Sequence, residues 1–420
     1  MFMYRTKSSR SPILRVWTAC LAVLIICMAA ASPFEVSAQE ASLPAPTWTA
    51  AQSGDICVPG GKGILPVASP AVSARGAVLL EAESGAVVFA QNKDARLPMA
   101  STTKIMTALV ALETLPLDTP VKITAESVGV EGSSIYLVEG EILSLEHLLY
   151  ALLLESANDA AAAIAVAVAG SVEEFAVLMN AKAEELGLTN THFVNPHGLD
   201  DPEHYTTAYE LALIAREALA DPTFREICST RRKTIPLHGD EGVRLLINHN
   251  KLLQAYEGCI GVKTGFTKKT GRCLVSAAER EGVTLIAVTL NAPDDWRDHT
   301  AMLDYGFGRY QALFLGGEEF FTAPLWVISG NRDYTMVECR DTLTVTLRRD
   351  HGPIICVVEL PRFEFAPIQN SQIVGRLCFY EERPNRERHV LGEIPLYAAY
   401  AVEETAPPMT LWERIWELFA

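Results

Sequence analysis

Metal-site signatures are missing from this sequence. Its nine cysteines among 420 residues include no C-x-x-C pair, and its nine histidines show no spacing that would complete a zinc site. No metal or other cofactor is therefore expected. Positive charge is scarce as well: 35 Lys and Arg stand against 51 Asp and Glu, a formal net charge of −16. That balance speaks against nucleic acid or a generic polyanion as partner, because such binding depends on many Lys and Arg contacts to phosphate. The apolar run Trp17–Ala31 spans about fifteen residues, short of the ~20 that a membrane-crossing helix needs.

That run has a different reading. Arg5, Lys7, Arg10 and Arg15 precede it, and Val36-Ser37-Ala38 follows with the small-x-small form of a signal-peptidase site. Residues 1–38 are expected to be a cleaved signal peptide and the protein to be exported, to the outer face of the cytoplasmic membrane and the cell-wall space. Lipoprotein processing at Cys27 is the lesser alternative, since Ile26 is bulkier than the small residue usual before such a cysteine. Loss of four basic residues and one acidic residue takes the formal charge from −16 to −19. Seven cysteines then remain, an odd number, so at least one thiol has no partner within the chain. Cys273 and Cys356 lie in strand-like apolar sequence and read as small core residues.

What is present is a series of three short motifs: Ser101-Thr102-Thr103-Lys104, Ser156-Ala157-Asn158 and Lys263-Thr264-Gly265. A serine hydroxyl needs a base within hydrogen-bond reach before it attacks a carbonyl at neutral pH. Residues three apart on a helix share a face, which puts the Lys104 amine beside the Ser101 oxygen. Lysine accepts a proton only if its pKa is lowered, and burial beside a second cation such as Lys263 would do that. Read singly, each motif has a plainer meaning: a helix N-cap with a solvated lysine, a polar kink, and an edge-strand lysine. Context selects the chemical one. Pro98 precedes Ser101, and Ile105, Met106, Leu109, Val110 and Leu112 follow at helical spacing. Ser156-Ala157-Asn158 lies inside Ala-rich helical sequence, and Lys263-Thr264-Gly265 ends a strand-like run.

At this point the chain resembles the low-molecular-mass penicillin-binding proteins, the serine-type D-alanyl-D-alanine carboxypeptidases. The likeness runs from about Leu65 to about Ala401 and includes Ala100–Ala108, Gly132-Ser133-Ser134, Phe193–Leu199 and Gly261–Thr267. It implies removal of the terminal D-alanine from peptidoglycan stem pentapeptides, and trapping of β-lactam antibiotics. It also implies roles. Ser101 would be the nucleophile, Lys104 its base, Ser156 a proton relay and Asn158 the group that orients Lys104 and substrate. Lys263 would supply positive potential, Thr264 would hold the terminal carboxylate, and the Ser101 and Phe266 N–H groups would form the oxyanion hole. Gly265 fits a strand that receives substrate edge-on. His249 is placed near the carboxylate pocket, with a loop histidine of no role as the other reading.

Residues 39–65, rich in Pro, Gly, Ala and Ser, read as a flexible leader. Residues 66–316 pattern as strands, then long helical segments (Leu143–Ala169, Val172–Leu186, Ala208–Leu219), then strands again. This is an α+β arrangement, an antiparallel sheet with a helical subdomain, and the resemblance implies the β-lactamase/transpeptidase-like fold. Residues 317–402 alternate as a small all-β domain, which by resemblance sets the catalytic domain off the membrane. Residues 409–420 place Leu411, Trp412, Ile415, Trp416, Leu418 and Phe419 opposite Glu413, Arg414 and Glu417, an amphipathic helix suited to a membrane surface. Two rival functions remain at this stage. A β-lactamase needs a further glutamate for deacylation, and Glu185, with Leu188 and Asn190, misses the usual Glu-x-x-Leu-Asn spacing. A non-catalytic cell-wall-binding scaffold would not need Ser101, Lys104, Asn158 and Lys263 together.

Overall fold

The computed structural model describes residues 49–50, 56–58, 68–238, 242–318, 320–383, 385 and 387–405. The expected signal peptide (1–38) and terminal helix (409–420) lie outside the described residues.

Five antiparallel strands form the central sheet: β1 (Gly76–Glu81), β2 (Val87–Gln91), β3 (Cys259–Thr267), β4 (Gly271–Arg280) and β5 (Val283–Leu290), in the spatial order β2-β1-β5-β4-β3. The two ends of the chain segment thus meet in one sheet, and β3 is an edge. Every residue of β1 is buried, so its sequence shows no alternation of apolar and polar positions. Both faces are covered. Val78 and Leu80 pack with the helices Lys104–Thr114 and Ala208–Ala220, whereas Ala77 and Leu79 pack with the helix Asp295–Phe307.

The helix Asp295–Phe307 is fastened to the sheet by His299. This residue is fully buried, with its two ring nitrogens 2.5 Å from Ser276 Oγ on β4 and 2.9 Å from Thr289 Oγ1 on β5. Burial pushes its pKa from 6.5 to about 3, and burial likewise takes His204 to about 4. Below pH 6.5 the unfolded chain binds protons that these folded imidazoles refuse. Their contribution to stability is thus complete above pH 6.5 and is lost as pH falls towards those lower values. We expect His299→Gln to remove about 1.4 kcal/mol per pH unit from the stability slope between pH 6 and pH 4, measured by urea unfolding. An unchanged slope would mean that His299 is protonated in the folded protein.

The helical middle departs from expectation at one place. Instead of one helix over Leu143–Ala169, the chain forms Leu145–Tyr150, a π-helical turn Ala151–Glu155, and then Asn158–Ala169. Ser156 lies between them in the left-handed region, φ 60° and ψ 29°, a conformation that a serine holds only where its surroundings impose it. The Asn158 N–H, turned out of the helix ladder, donates to Ser133 O at 2.7 Å.

The C-terminal strands pack around a separate hydrophobic cluster that includes Leu325, Val337, Ile354, Leu377, Phe379, Ile394 and Leu396. Two expectations need correction. Residues 56–58, expected in a flexible leader, form a strand paired antiparallel with Ile354–Cys356. The strand Tyr310–Gly316, inside the range 66–316 assigned to the catalytic domain, pairs with Leu343–Arg348 of the β region. Backbone N–H and C=O groups of a strand need partners, and their partners here are remote in sequence. A local reading of composition could not supply them.

Candidate active site

Ser101 sits in a 3-10 turn, Ala100–Thr103, that runs straight into the helix Lys104–Thr114. The turn is clamped from two sides. Thr103 Oγ1 donates to Ala100 O at 2.7 Å and lies 2.7 Å from His204 Nε2, while His204 Nδ1 accepts from Val194 N at 3.0 Å. That last bond fixes the tautomer, so Nε2 carries the proton. On the other side Gly198, with φ +88°, lets its loop approach so closely that a Cβ there would lie 2.0 Å from Ala100 O.

Lys104 is buried with Nζ at the meeting point of three oxygens: Ser101 Oγ at 3.0 Å, Asn158 Oδ1 at 2.7 Å and His197 O at 2.6 Å. Burial, and next the charge of Lys263, hold its pKa well below the usual lysine value, with Asp159 opposing them. A neutral amine has two N–H donors and one lone pair. Asn158 Oδ1 and His197 O accept from the two N–H groups, which leaves the lone pair facing the Ser101 hydroxyl. Asn158 is itself fixed, since Nδ2 donates to Glu131 O at 2.5 Å.

Lys263, on β3, is also buried; desolvation lowers its pKa to about 7, and Nζ donates to Thr264 O at 2.9 Å. Gly265 brings β3 against the nucleophile turn. A Cβ at this position would come within 3.1 Å of the Ser101 and Thr102 nitrogens and 3.2 Å of Met99 O. The turn bearing Ser101 thus gives a further reason for a glycine at this position.

Ser101, Ser156, Thr264, Gly265, Phe266 and His249 line one cavity of about 380 Å³. Lys104, Asn158 and Lys263 lie buried beneath it. His249 is half exposed, with Nε2 3.3 Å from Glu155 Oε2. A larger cavity of about 610 Å³, lined by Glu81, Arg216, Arg225 and Thr346 among others, contains none of the motif residues. Among the described residues no three His, Cys, Asp or Glu side chains converge as a metal ion would require.

Several residues at the site have no motif to announce them. Asp159 is buried and accepts from Ser134 Oγ (2.6 Å), Ile135 N (3.2 Å) and Leu137 N (3.0 Å), so it holds the loop whose Glu131 and Ser133 carbonyls fix Asn158. Ser133, Lys251, Arg272, Asp295 and Trp296 also line the cavity, with Arg272 Nη1 3.6 Å from Asp295 Oδ2. Gly132-Ser133-Ser134 and Phe193–Leu199 were visible as family-like segments without a stated role. The structure makes them the source of the carbonyls that orient Asn158 and Lys104. Glu185 ends its helix bonded to Lys182 at 2.9 Å and does not line the cavity.

Residues 65–294 match the family described as D-alanyl-D-alanine carboxypeptidase, peptidase S11. The D-alanyl-D-alanine carboxypeptidase DacF of Bacillus subtilis (strain 168) is 32% identical over 335 residues, which cover 77% of this chain and 85% of that protein. Penicillin binding protein 5 from Haemophilus influenzae superposes with a TM-score of 0.59 at 26% identity, covering 81% of this chain and all of that one. The Streptomyces K15 DD-transpeptidase gives 0.55 at 35% identity, covering 57% and 99%.

Proposed function

This chain belongs to the D-alanyl-D-alanine carboxypeptidase family and is a penicillin-binding serine peptidase of that activity; from that premise we propose that Ser101 is its acylated nucleophile and Lys104 the base that activates it. The observation that carries this assignment is the position of Lys104 Nζ, 2.7 Å from Asn158 Oδ1, 2.6 Å from His197 O and 3.0 Å from Ser101 Oγ, so that in the neutral amine the first two oxygens take the N–H groups and the lone pair is left for Ser101. Ser101 Oγ attacks the carbonyl of the penultimate D-alanine and its proton passes to Lys104 Nζ. The Ser101 and Phe266 N–H groups receive the developing oxyanion. When the tetrahedral intermediate collapses, terminal D-alanine leaves with that proton, relayed through Ser156. A water molecule then cleaves the ester, with Lys104 again taking the proton. Lys263 supplies positive potential and Thr264 holds the substrate carboxylate, with His249 at the rim of the same pocket. Asp159 is a positioning residue, acting through the loop that fixes Asn158.

Penicillin enters the same path but stops at the ester. The β-lactamase reading requires a carboxylate poised over that ester. Glu185 is bonded to Lys182 away from the cavity, and the carboxylate that does line it, Asp295, lies beside Arg272. We expect one equivalent of penicillin to remain on the protein after excess drug is removed, and peptide mass mapping to place it on Ser101. An adduct on another residue, or rapid drug turnover, would overturn the assignment.

The cellular setting belongs to the same reading. Residues 1–38 serve as a cleaved export signal, residues 317–402 as a spacer, and residues 409–420 as an interfacial anchor on the outer face of the cytoplasmic membrane. The pattern of Leu411, Trp412, Ile415, Trp416, Leu418 and Phe419 supports the anchor. With one Arg against two Glu in that segment, its attachment would rest on apolar burial and so resist high salt.

A further inference from the structure

The outer face of the C-terminal sheet carries a block of apolar side chains that the hydrolytic site does not use. Trp326 lies between two cross-strand partners, Phe363 on one side and Tyr334 on the other, and Ile328 pairs with Phe365. All five side chains are exposed, Trp326 at 57% and Phe365 at 62%, while the intervening Leu325 and Val327 point into the core. The rings are in mutual contact: Trp326 and Tyr334 have centroids 6.0 Å apart, and Phe363 and Phe365 5.8 Å. Contiguous aromatic surface of this kind at the edge of a sheet is a mark of an interaction site.

Where the described chain ends says what covers it. Thr405 donates to Ser329 O twice, from N at 2.8 Å and from Oγ1 at 3.0 Å, and Asn331 N donates to Glu403 O at 2.8 Å. Ser329 directly follows Ile328, so the chain departs from the border of the aromatic block. Only residues 406–408 separate Thr405 from Met409, a reach of at most ~14 Å. Met409 therefore lies within ~14 Å of Thr405, whose partner Ser329 adjoins Ile328 of the aromatic block.

We propose that this aromatic face is a second lipid-contacting surface, which lies on the membrane interface beside the terminal segment and fixes the orientation of the C-terminal unit there. The inference rests on the membrane reading given above. Trp, Tyr and Phe are the side chains that settle at the headgroup level, where an apolar body and a polar tip are both satisfied. None of the five side chains is charged, so the contact requires no anionic lipid.

The test uses the full chain, a Trp326→Ser/Phe363→Ser/Phe365→Ser variant, a deletion of residues 406–420, and the two combined, each sedimented with phosphatidylcholine vesicles. Turnover of a soluble peptide is the folding control and should be equal in all four. We expect the triple substitution to weaken vesicle binding at least tenfold, the deletion to leave a weaker binding that the triple substitution then abolishes, and brominated acyl chains to quench the part of the deletion chain's emission, free of Trp412 and Trp416, that the Trp326 substitution removes. A triple variant that binds as the intact chain does would overturn the proposal. A deletion that binds as the intact chain does would instead overturn the terminal anchor, so the two failures are distinguishable. If the terminal segment or a second copy covers this face, the Trp326-dependent emission of vesicle-free protein, taken as the difference between each chain and its Trp326→Ser counterpart, will shift red on deletion or on dilution. Either shift would also overturn lipid as the occupant.

Discussion

Ser101→Ala should abolish D-alanine release from a diacyl-Lys-D-Ala-D-Ala tripeptide, with a loss on the order of 10⁶-fold in kcat if the nucleophile and base act as one unit. Covalent penicillin labelling should disappear with it. The fold should survive. Ser101 occupies a short turn whose shape is held by the Thr103 hydroxyl, by His204 and by the approach of Gly198 and Gly265, none of which uses the Ser101 side chain. Removing the hydroxyl therefore costs the folded state no more than about 1 kcal/mol. Circular dichroism and the urea midpoint would separate this outcome from unfolding. A folded variant that still releases D-alanine would mean that another residue attacks.

Lys104→Arg should be nearly as inactive, losing between about 10²- and 10⁴-fold in the rate of acylation by penicillin or peptide. Guanidinium keeps its proton at any working pH, so it cannot take the one from Ser101. Acylation at the normal rate would require a different base. The two buried lysines also predict the pH profile of kcat/KM. Lys104 must be neutral, so activity falls on the acid side, at a pH well below the ordinary lysine range. Lys263 must be protonated, so activity of the free enzyme falls as pH rises through about 7. Bound substrate carboxylate would retain that proton, so the alkaline limb of kcat should lie at higher pH than that of kcat/KM. Because the lysines interact, both limbs belong to the pair. Coinciding alkaline limbs would remove Lys263 from the carboxylate site.

The parts of the site that sequence made readable are those whose geometry is local. Ser101 and Lys104 are three residues apart on one helical turn, and the helix that follows is announced by the spacing of Ile105, Met106 and Leu109. The helices Val172–Glu185 and Ala208–Ala220 are found within a residue of where their patterns place them, because periodic apolar runs are properties of short windows. The break at Ser156 was not readable. A left-handed serine between two helices reflects packing around it, and the Ala-rich sequence on either side favours helix throughout. Asp159 was equally silent, since a carboxylate one residue beyond Asn158 becomes significant only when the loop from Glu131 to Leu137 folds onto it. The pairing of residues 56–58 with Ile354–Cys356 spans most of the chain and has no trace in either segment.

By itself, then, the sequence determined which atoms are available and in what short-range order: a hydroxyl three residues before an amine, a second lysine beside a glycine, and alternating strands after residue 316 that end in an amphipathic segment. Tertiary structure alone decided what those atoms can do. Lys104 is placed to act as a base only because Asn158, 54 residues away, and His197, 93 residues away, accept its N–H bonds while its side chain is buried. Trp326 becomes part of a surface only because Phe363 and Tyr334 are laid beside it. Protonation state and surface continuity depend on burial and on charges and neighbours through space, and those are set by which distant segments meet.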